Sequence, residues 1–380
     1  MKKRVGIVGI GQTKYETSKA NQLLDEVVFE AASKALQHAG ITRDDVDNVV
    51  IAASDQIDGR PISSMMEAGP SGAYLKDEIK VTDEGSLAAI LGYLRISSGL
   101  FDTALVTSWS KCSEGPVVLV TNLGADPFFH RFCALNYITA MGHQISAYKG
   151  KYNVNDLAAS KVVVKNRKNA VNNSLACCRE EVSEERVLSS KLVVWPLREM
   201  MIAPLCDGAC SLVLASEEKA KAMTKNPIWI DGISWAIESY YLGERDLSRL
   251  TSLEVAARQA YKQAGIENPL LEIDVAEICD ISAYHEIMAY EGLGFSNWGE
   301  GSKLVEQDVV KVGGKLPVNP SGGALSGMPF FANGLIRLAE AALQLRGEAT
   351  GHQVDGSKTA LAQGTYGFAG QGNSVFILRK

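Results

Sequence analysis

Apolar positions along this chain follow two rhythms, one helical and one strand-like, and each is used twice. With the spacing of an amphipathic helix, ASKALQHAGI keeps Ala32, Ala35, Ala39, Gly40 and Ile41 in register with Ala257, Ala260, Ala264, Gly265 and Ile266 of ARQAYKQAGI. A glycine closes each segment, as a left-handed C-terminal cap favours. A short acidic loop and a β-branched apolar run follow each, VDNVVIAAS from Val46 and IDVAEICDIS from Ile273, which is the composition of a strand buried on both faces. Each half opens on a strand, RVGIVGI at Arg4 and PIWIDGI at Pro227. Each closes with a helix and a last strand, FDTALVTS at Phe101 and SKTALAQG at Ser357.

Strands alternating with helices in this way imply right-handed βαβ crossovers and a mostly parallel sheet covered on both faces. The expected fold is therefore α/β, with duplicated βαβ halves stacked as a five-layer α/β/α/β/α sandwich. Residues 1–111 with 213–225 form the N-terminal half and 226–380 the C-terminal half. Residues 112–212 have no counterpart in the second half and are rich in polar helix formers, as in NDLAASKVVVKNRKNAVNN. They read as an inserted loop or lid region, the kind of excursion that covers a site or builds an interface.

Composition narrows the function. A net charge of −6 and a pI near 5.6 argue against a surface built to wrap nucleic acid. The apolar stretch VGIVGIGQT after Met1-Lys2-Lys3-Arg4 is too short and too strand-like for a signal peptide, and no run approaches the ~18 apolar residues of a membrane span. The chain is expected to be cytoplasmic, with no membrane span. Seven cysteines without a regular frame suggest reduced thiols, and five scattered histidines with no CxxC pair suggest no metal in this chain. Gly6-x-x-Gly9-x-Gly11 imitates a dinucleotide fingerprint, but its spacing is reversed and no helix follows directly.

Three stretches carry a resemblance to the sterol-carrier-protein-type thiolases over essentially the whole chain. They are SGLFDTALVTSWSKCSEG from Ser98, PLREMMIAPLCDGACSLVLASEEKA from Pro196, and VNPSGGALSGMPFFANG from Val318. The last is similar to the family's NPSGG…GHPxGATG block. The resemblance implies the thiolase fold, a homodimer core and a cleft that takes an acyl-CoA, with coenzyme A as substrate or thioester.

The residues that perform thiolase chemistry in that family are replaced here. A thiolase needs a cysteine at the N-terminus of a buried helix, where backbone N–H groups favour a thiolate. Counting back from Ser98-Gly99 puts Thr82 at that position, and no cysteine precedes Lys111. Asp83 and Glu84 beside it would oppose an alkoxide, so an ordinary helix cap is the competing reading. The family's basic histidine is replaced in Gly327-Met328-Pro329, since methionine neither accepts nor donates a useful proton. The HDxF or NExF motif becomes Cys279-Asp280. Cys279 is a candidate relocated nucleophile, against the habit of buried thiols to be inert.

Tyr284 and His285, a few residues on, are candidate acid/base groups. The C-terminal Gly-rich loop GTYGFAGQGNS offers Tyr366 in place of the family's second cysteine. Related thiolase-like aldolases, which split steroid acyl-CoA side chains, are thought to rely on tyrosines. Asn319, with Gly322 and Gly323, is retained and is a candidate for lining the reacting carbonyl; ordering the local turn explains it equally. Lys161, Lys165, Arg167 and Lys168 are candidate partners of the CoA phosphates, or a solvated helix face.

The expected function is a thiolase-like subunit that cleaves or forms a C–C bond of a β-oxo- or β-hydroxyacyl-CoA, by thiolytic retro-Claisen or by retro-aldol chemistry. Subunits with such gaps resemble those that pair with a small DUF35-type zinc-ribbon/OB-fold protein, so a partner of this kind is expected. The alternative is a non-catalytic acyl-CoA-binding or scaffold subunit of a heteromeric complex.

Overall fold

The structure is a computed structural model that describes residues 3–59, 62–82 and 84–380. Its strands are β1 (Val5–Gln12), β2 (Asn48–Ala53), β3 (Asp77–Thr82), β4 (Thr103–Lys111), β5 (Leu192–Val194), β6 (Leu197–Arg198), β7 (Asp207–Ser216), β8 (Ile228–Ile237), β9 (Val275–Glu277), β10 (Thr359–Tyr366) and β11 (Gly372–Arg379). Nine of them hydrogen-bond in the order β3-β2-β4-β7-β1-β8-β11-β10-β9, while β5 and β6 pair separately. The duplication is visible in this order: β2, β4, β7 and β1 of the first half are mirrored by β9, β10, β11 and β8 of the second. The halves meet where β1 and β8 pair through Gly6 with Trp229 and Ile7 with Ile228.

The sheet is mixed, which corrects the expectation of a mostly parallel one. Parallel pairing is confined to β2 with β3, β2 with β4, and β9 with β10. In each half the chain returns antiparallel to the strand it has just left, as β7 beside β4 and as β11 beside β10. The connections differ greatly in length. β10 and β11 are joined by Gly367–Gln371, whereas β4 and β7 are separated by the whole excursion. The returning strand β7 begins at Asp207, so Asp207–Leu212, read from the sequence as the end of the excursion, belong to the sheet.

Helix Leu24–Ala39 covers one outer face and helix Thr251–Ala264 the other. Gly40 and Gly265 end them at φ 69° and 67°, the left-handed cap that the sequence suggested. Between the half-sheets lie helix Gly85–Ser97 and helix Asn333–Arg346, packed on each other and on opposite strands. The second is buried on nearly every side, with Leu335, Ile336, Leu338, Ala339, Ala341 and Ala342 in the core. Each large aliphatic side chain so enclosed contributes about 1.5–3 kcal/mol, and the buried Arg337 and Glu340 of the same helix are paired with Glu277 and His352. These two central helices point their N-termini at the same place, and that convergence positions the site. No helix among the described residues is long and apolar enough to cross a membrane.

Candidate functional site

Glu84 caps helix Gly85–Ser97 from an extended conformation, φ −104° and ψ 138°. Its carboxylate accepts from the Ser86 N–H at 2.9 Å and from the Ser86 hydroxyl. From the other side it accepts from the Gly334 N–H at 2.5 Å, in the first turn of helix Asn333–Arg346. Two helix N-termini therefore focus their partial positive charge on one carboxylate. Glu84 is 2% exposed. A Cβ at position 334 would collide with the carboxylate, so this approach requires glycine. Gly85 N–H donates to Phe331 O at 2.7 Å, tying the head of the first helix to the segment leading into the second.

Four further residues surround this carboxylate. Burial first, and the Glu84 charge second, push the Cys279 thiol well above its usual range, so it is a neutral thiol and a poor nucleophile. Burial and then Glu84 also raise the Tyr366 phenol to about 12, which leaves it a neutral donor. Tyr366 ends β10 half-buried, with its ring over Gly372. Its hydroxyl has no hydrogen-bond partner among the described residues. The Ser86 hydroxyl lies 2.7 Å from that of Ser374. Asn333, 2% exposed at the start of the second helix, has no partner among the described residues for either its amide nitrogen or its amide oxygen. Buried amides are rarely left so.

Beneath this centre is a cross-bonded polar floor. Asp280 accepts from the backbone N–H groups of Ala324 at 2.5 Å and Leu325 at 3.1 Å, and from Asn166 at 2.8 Å. Burial, then Glu286, raise it to about 7. Asn166 and Asn319 both donate to Glu286, at 2.6 and 2.8 Å, and Asn319 accepts from the Ile278 N–H at 2.8 Å. Lys165 completes the floor with an ion pair to Glu286 at 2.9 Å.

Several sequence candidates are thereby reassigned. Thr82 ends the edge strand β3 and is exposed; the helix starts two residues later at Glu84, because ungapped counting ignores how far the strand runs. Asp83 lies outside the described residues. Tyr284 donates its hydroxyl to Asp156, which also pairs with Lys149, so it faces the excursion and is not brought to Tyr366. His285 is buried, and because a carboxamide oxygen only accepts, its Nε2–H donates to Gln144 Oε1 at 2.9 Å while Nδ1 accepts from Ser282 at 2.7 Å. Burial and Arg245 lower it to about 3, so it stays neutral and engaged.

Asn319 uses both ends of its amide within the floor, and Gly323 makes room for the Asp280 carboxylate, which a Cβ would strike. Lys165 is engaged by Glu286, Arg167 is buried, Lys161 is half-buried and Lys168 is exposed, so the four do not form one cationic face. Cys279 is beside the centre but in the protonated form. Met328 is buried, its N–H donating to Pro204 O at 2.8 Å. Among the described residues no three His, Cys, Asp or Glu side chains gather as metal ligands.

Sequence reading missed Glu84, Ser86, Asn333 and Ser374. The one local signal was an acidic residue directly before Gly-Ser at the head of an apolar helix.

An apolar cleft adjoins the centre. Phe330 and Phe331 meet edge to face at 4.9 Å, and Tyr137 stands edge-on to Phe330 at 5.2 Å. Beyond them an open cavity of about 480 Å³ is lined by Cys112, Pro116, Val117, Leu119, Asn122 and Leu205, among others.

Comparison with known proteins agrees with this architecture. The family description "Thiolase C-terminal domain-like" matches residues 236–380. An acetyl-CoA acetyltransferase of Methanocaldococcus jannaschii is 30% identical over 358 residues, 90% of each chain. One of Methanothermobacter thermautotrophicus is 28% identical over 98% of each. Among solved structures, that titled "Ltp2-ChsH2(DUF35) aldolase" superposes with a TM-score of 0.84 at 21% identity, covering 99% of this chain and 97% of that one. The likeness to that structure is one of fold.

Proposed function

The chain belongs to the thiolase superfamily, and we propose that it acts on acyl-CoA thioesters by aldol-type chemistry, breaking or making the C–C bond of a β-hydroxyacyl-CoA without a covalent enzyme intermediate. One observation carries this reading: a carboxylate, not a thiol, occupies the converged helix N-termini, and the thiol beside it is held protonated.

In the cleavage direction Glu84 takes the β-hydroxyl proton, the O–H electron pair forms the new carbonyl, and the Cα–Cβ pair moves to Cα as an enolate of the thioester. Tyr366, neutral and unpartnered, protonates Cα, and its phenolate recovers the proton from Glu84, so that the enzyme returns unchanged. A carboxylate and a phenol that burial keeps protonated are suited to these opposite roles. The unpaired amide of Asn333 is the candidate donor for the thioester oxygen, where the enolate charge develops.

The test is cleavage of β-hydroxyacyl-CoA substrates by the intact protein, with mass analysis of the enzyme during turnover. Product from Cys279→Ser at near wild-type rate, with no acylated enzyme, supports the aldol reading. An acyl adduct on Cys279, with loss of activity in that variant, sinks it in favour of thiolysis.

A DUF35-type zinc-binding partner and a homodimer core belong to the same reading. The aldolase structure carries a DUF35 component in its title, and Phe128, Phe129 and Phe132 of the excursion are 78%, 65% and 75% exposed, an apolar group of the kind that partners cover. Purification from the native cell, in which we place the protein in the cytoplasm, checks both. The second reading, a non-catalytic acyl-CoA-binding subunit, is favoured by the complete engagement of Glu84 as a double cap. No turnover with or without a partner would establish it.

A further inference from the structure

Three thiols gathered at the Ser326–Met328 loop have no part in the chemistry above. Chain segments flank this loop on both sides: Cys178 N–H donates to Ser326 O at 2.7 Å, and Cys206 N–H donates to Met328 O at 3.1 Å. Gly327 lies between them at φ 142°, and a Cβ there would be 2.7 Å from Cys177 Cβ and 3.4 Å from Cys206 Sγ. The missing side chain is thus the space in which Cys177 and Cys206 approach each other across the loop. The Cys178 and Cys206 thiols lie beside Cys177, and Thr17 Oγ1 is 3.6 Å from its sulfur.

The neighbouring Cys178 and then Cys206 thiols, with Arg167 nearby, lower the pKa of Cys177 from the usual thiol range and so favour its thiolate. Cys177 is partly exposed and Cys206 is buried, so a small oxidant meets Cys177 first. Its sequence neighbour is the poorer partner, because adjacent Cα atoms are ~3.8 Å apart, shorter than the usual span of a disulfide.

From this arrangement we propose that Cys177 and Cys206 form a peroxide-oxidised thiol pair, Cys177 becoming a sulfenic acid that Cys206 resolves to a disulfide across the Met328 loop. The Cys177 thiolate attacks one peroxide oxygen, the O–O bond breaks and hydroxide leaves. Burial holds Cys206 as the protonated thiol, so its sulfur attacks the sulfenic sulfur as its proton passes to the departing hydroxyl, the S–O bond breaks and water leaves. Two thiols are oxidised and one peroxide is reduced. The loop so tied continues into Phe330 and Phe331, whose carbonyl holds Gly85, so the strap would fix the wall of the apolar cleft.

The experiment treats the full-length protein with hydrogen peroxide, counts free thiols after denaturation and maps peptides without reduction. Loss of two of the seven thiols, a Cys177–Cys206 cross-linked peptide and recovery with dithiothreitol are expected. Cys206→Ser should instead leave a dimedone-reactive sulfenic acid on Cys177, and Cys177→Ser should retain every remaining thiol. Oxidation confined to the exposed Cys133, or a Cys177–Cys178 link, would overturn the proposal. The wild-type peptide map decides it by itself if either variant fails to fold.

Discussion

The centre at Glu84 and the floor at Asp280 and Glu286 are both buried polar clusters, yet they are completed differently. In the floor each carboxylate meets a lysine, an asparagine or a backbone N–H, and Lys165, Asn166 and Asn319 have every strong group engaged within it. In the centre Glu84 is equally engaged, but both ends of the Asn333 amide have no partner among the described residues, and neither has the Tyr366 phenol. Buried polar groups that the fold satisfies serve stability; those it leaves open are available to a ligand. The floor therefore holds the shape and the centre is where chemistry is expected.

The strongest way to break that contrast is Tyr366→Phe. Turnover of a β-hydroxyacyl-CoA should fall by about 10²–10⁴-fold with the melting temperature unchanged, since the phenol makes no hydrogen bond among the described residues; a large stability loss would place Tyr366 with the floor. Next comes Lys165→Met, which leaves Glu286 buried without its cation and should cost about 3–5 kcal/mol in denaturant unfolding. A neutral outcome would mean that the floor is not one coupled network.

Glu84→Gln lies between the two regions. It should lower turnover and also lose roughly 1–3 kcal/mol of stability, because its amide –NH₂ cannot accept from both helix N-termini.

His285 sharpens the floor side through pH. From about 3 to 6.5 the unfolded imidazole is protonated while the folded one is not, so the unfolded chain binds more protons and stability rises with pH across that window. Its contribution is complete above the unfolded value and is lost as pH falls towards 3. His285→Gln should flatten this part of the wild-type stability curve; an unchanged slope would place the titration elsewhere. The smallest effect is expected at exposed Lys168, where Ala should change stability by no more than about 0.5 kcal/mol. A raised KM for acyl-CoA in that variant would restore it as a phosphate partner.

Local pattern carried much of the architecture. The repeated helices end at Gly40 and Gly265 where their period stops, the strands fall on the β-branched runs, and the NPSGG segment marks the family over its length. These features are readable because each depends on residues a few positions apart. Of the residues singled out in the sequence, Cys279 and Tyr366 lie beside the Glu84 carboxylate.

Sequence alone could not decide who meets whom. Glu84 looked like one more acidic residue in a first turn until Gly334, distant in the chain, donated to it from a second helix. His285 and Lys165 looked like free functional groups until Gln144 and Glu286 took them up. A hydrogen bond or a desolvation shift depends on atoms a few ångströms apart in space and on the water excluded around them. Composition and periodicity therefore determined the layers of this protein, while packing of the two halves decided which of its polar groups are left for a substrate.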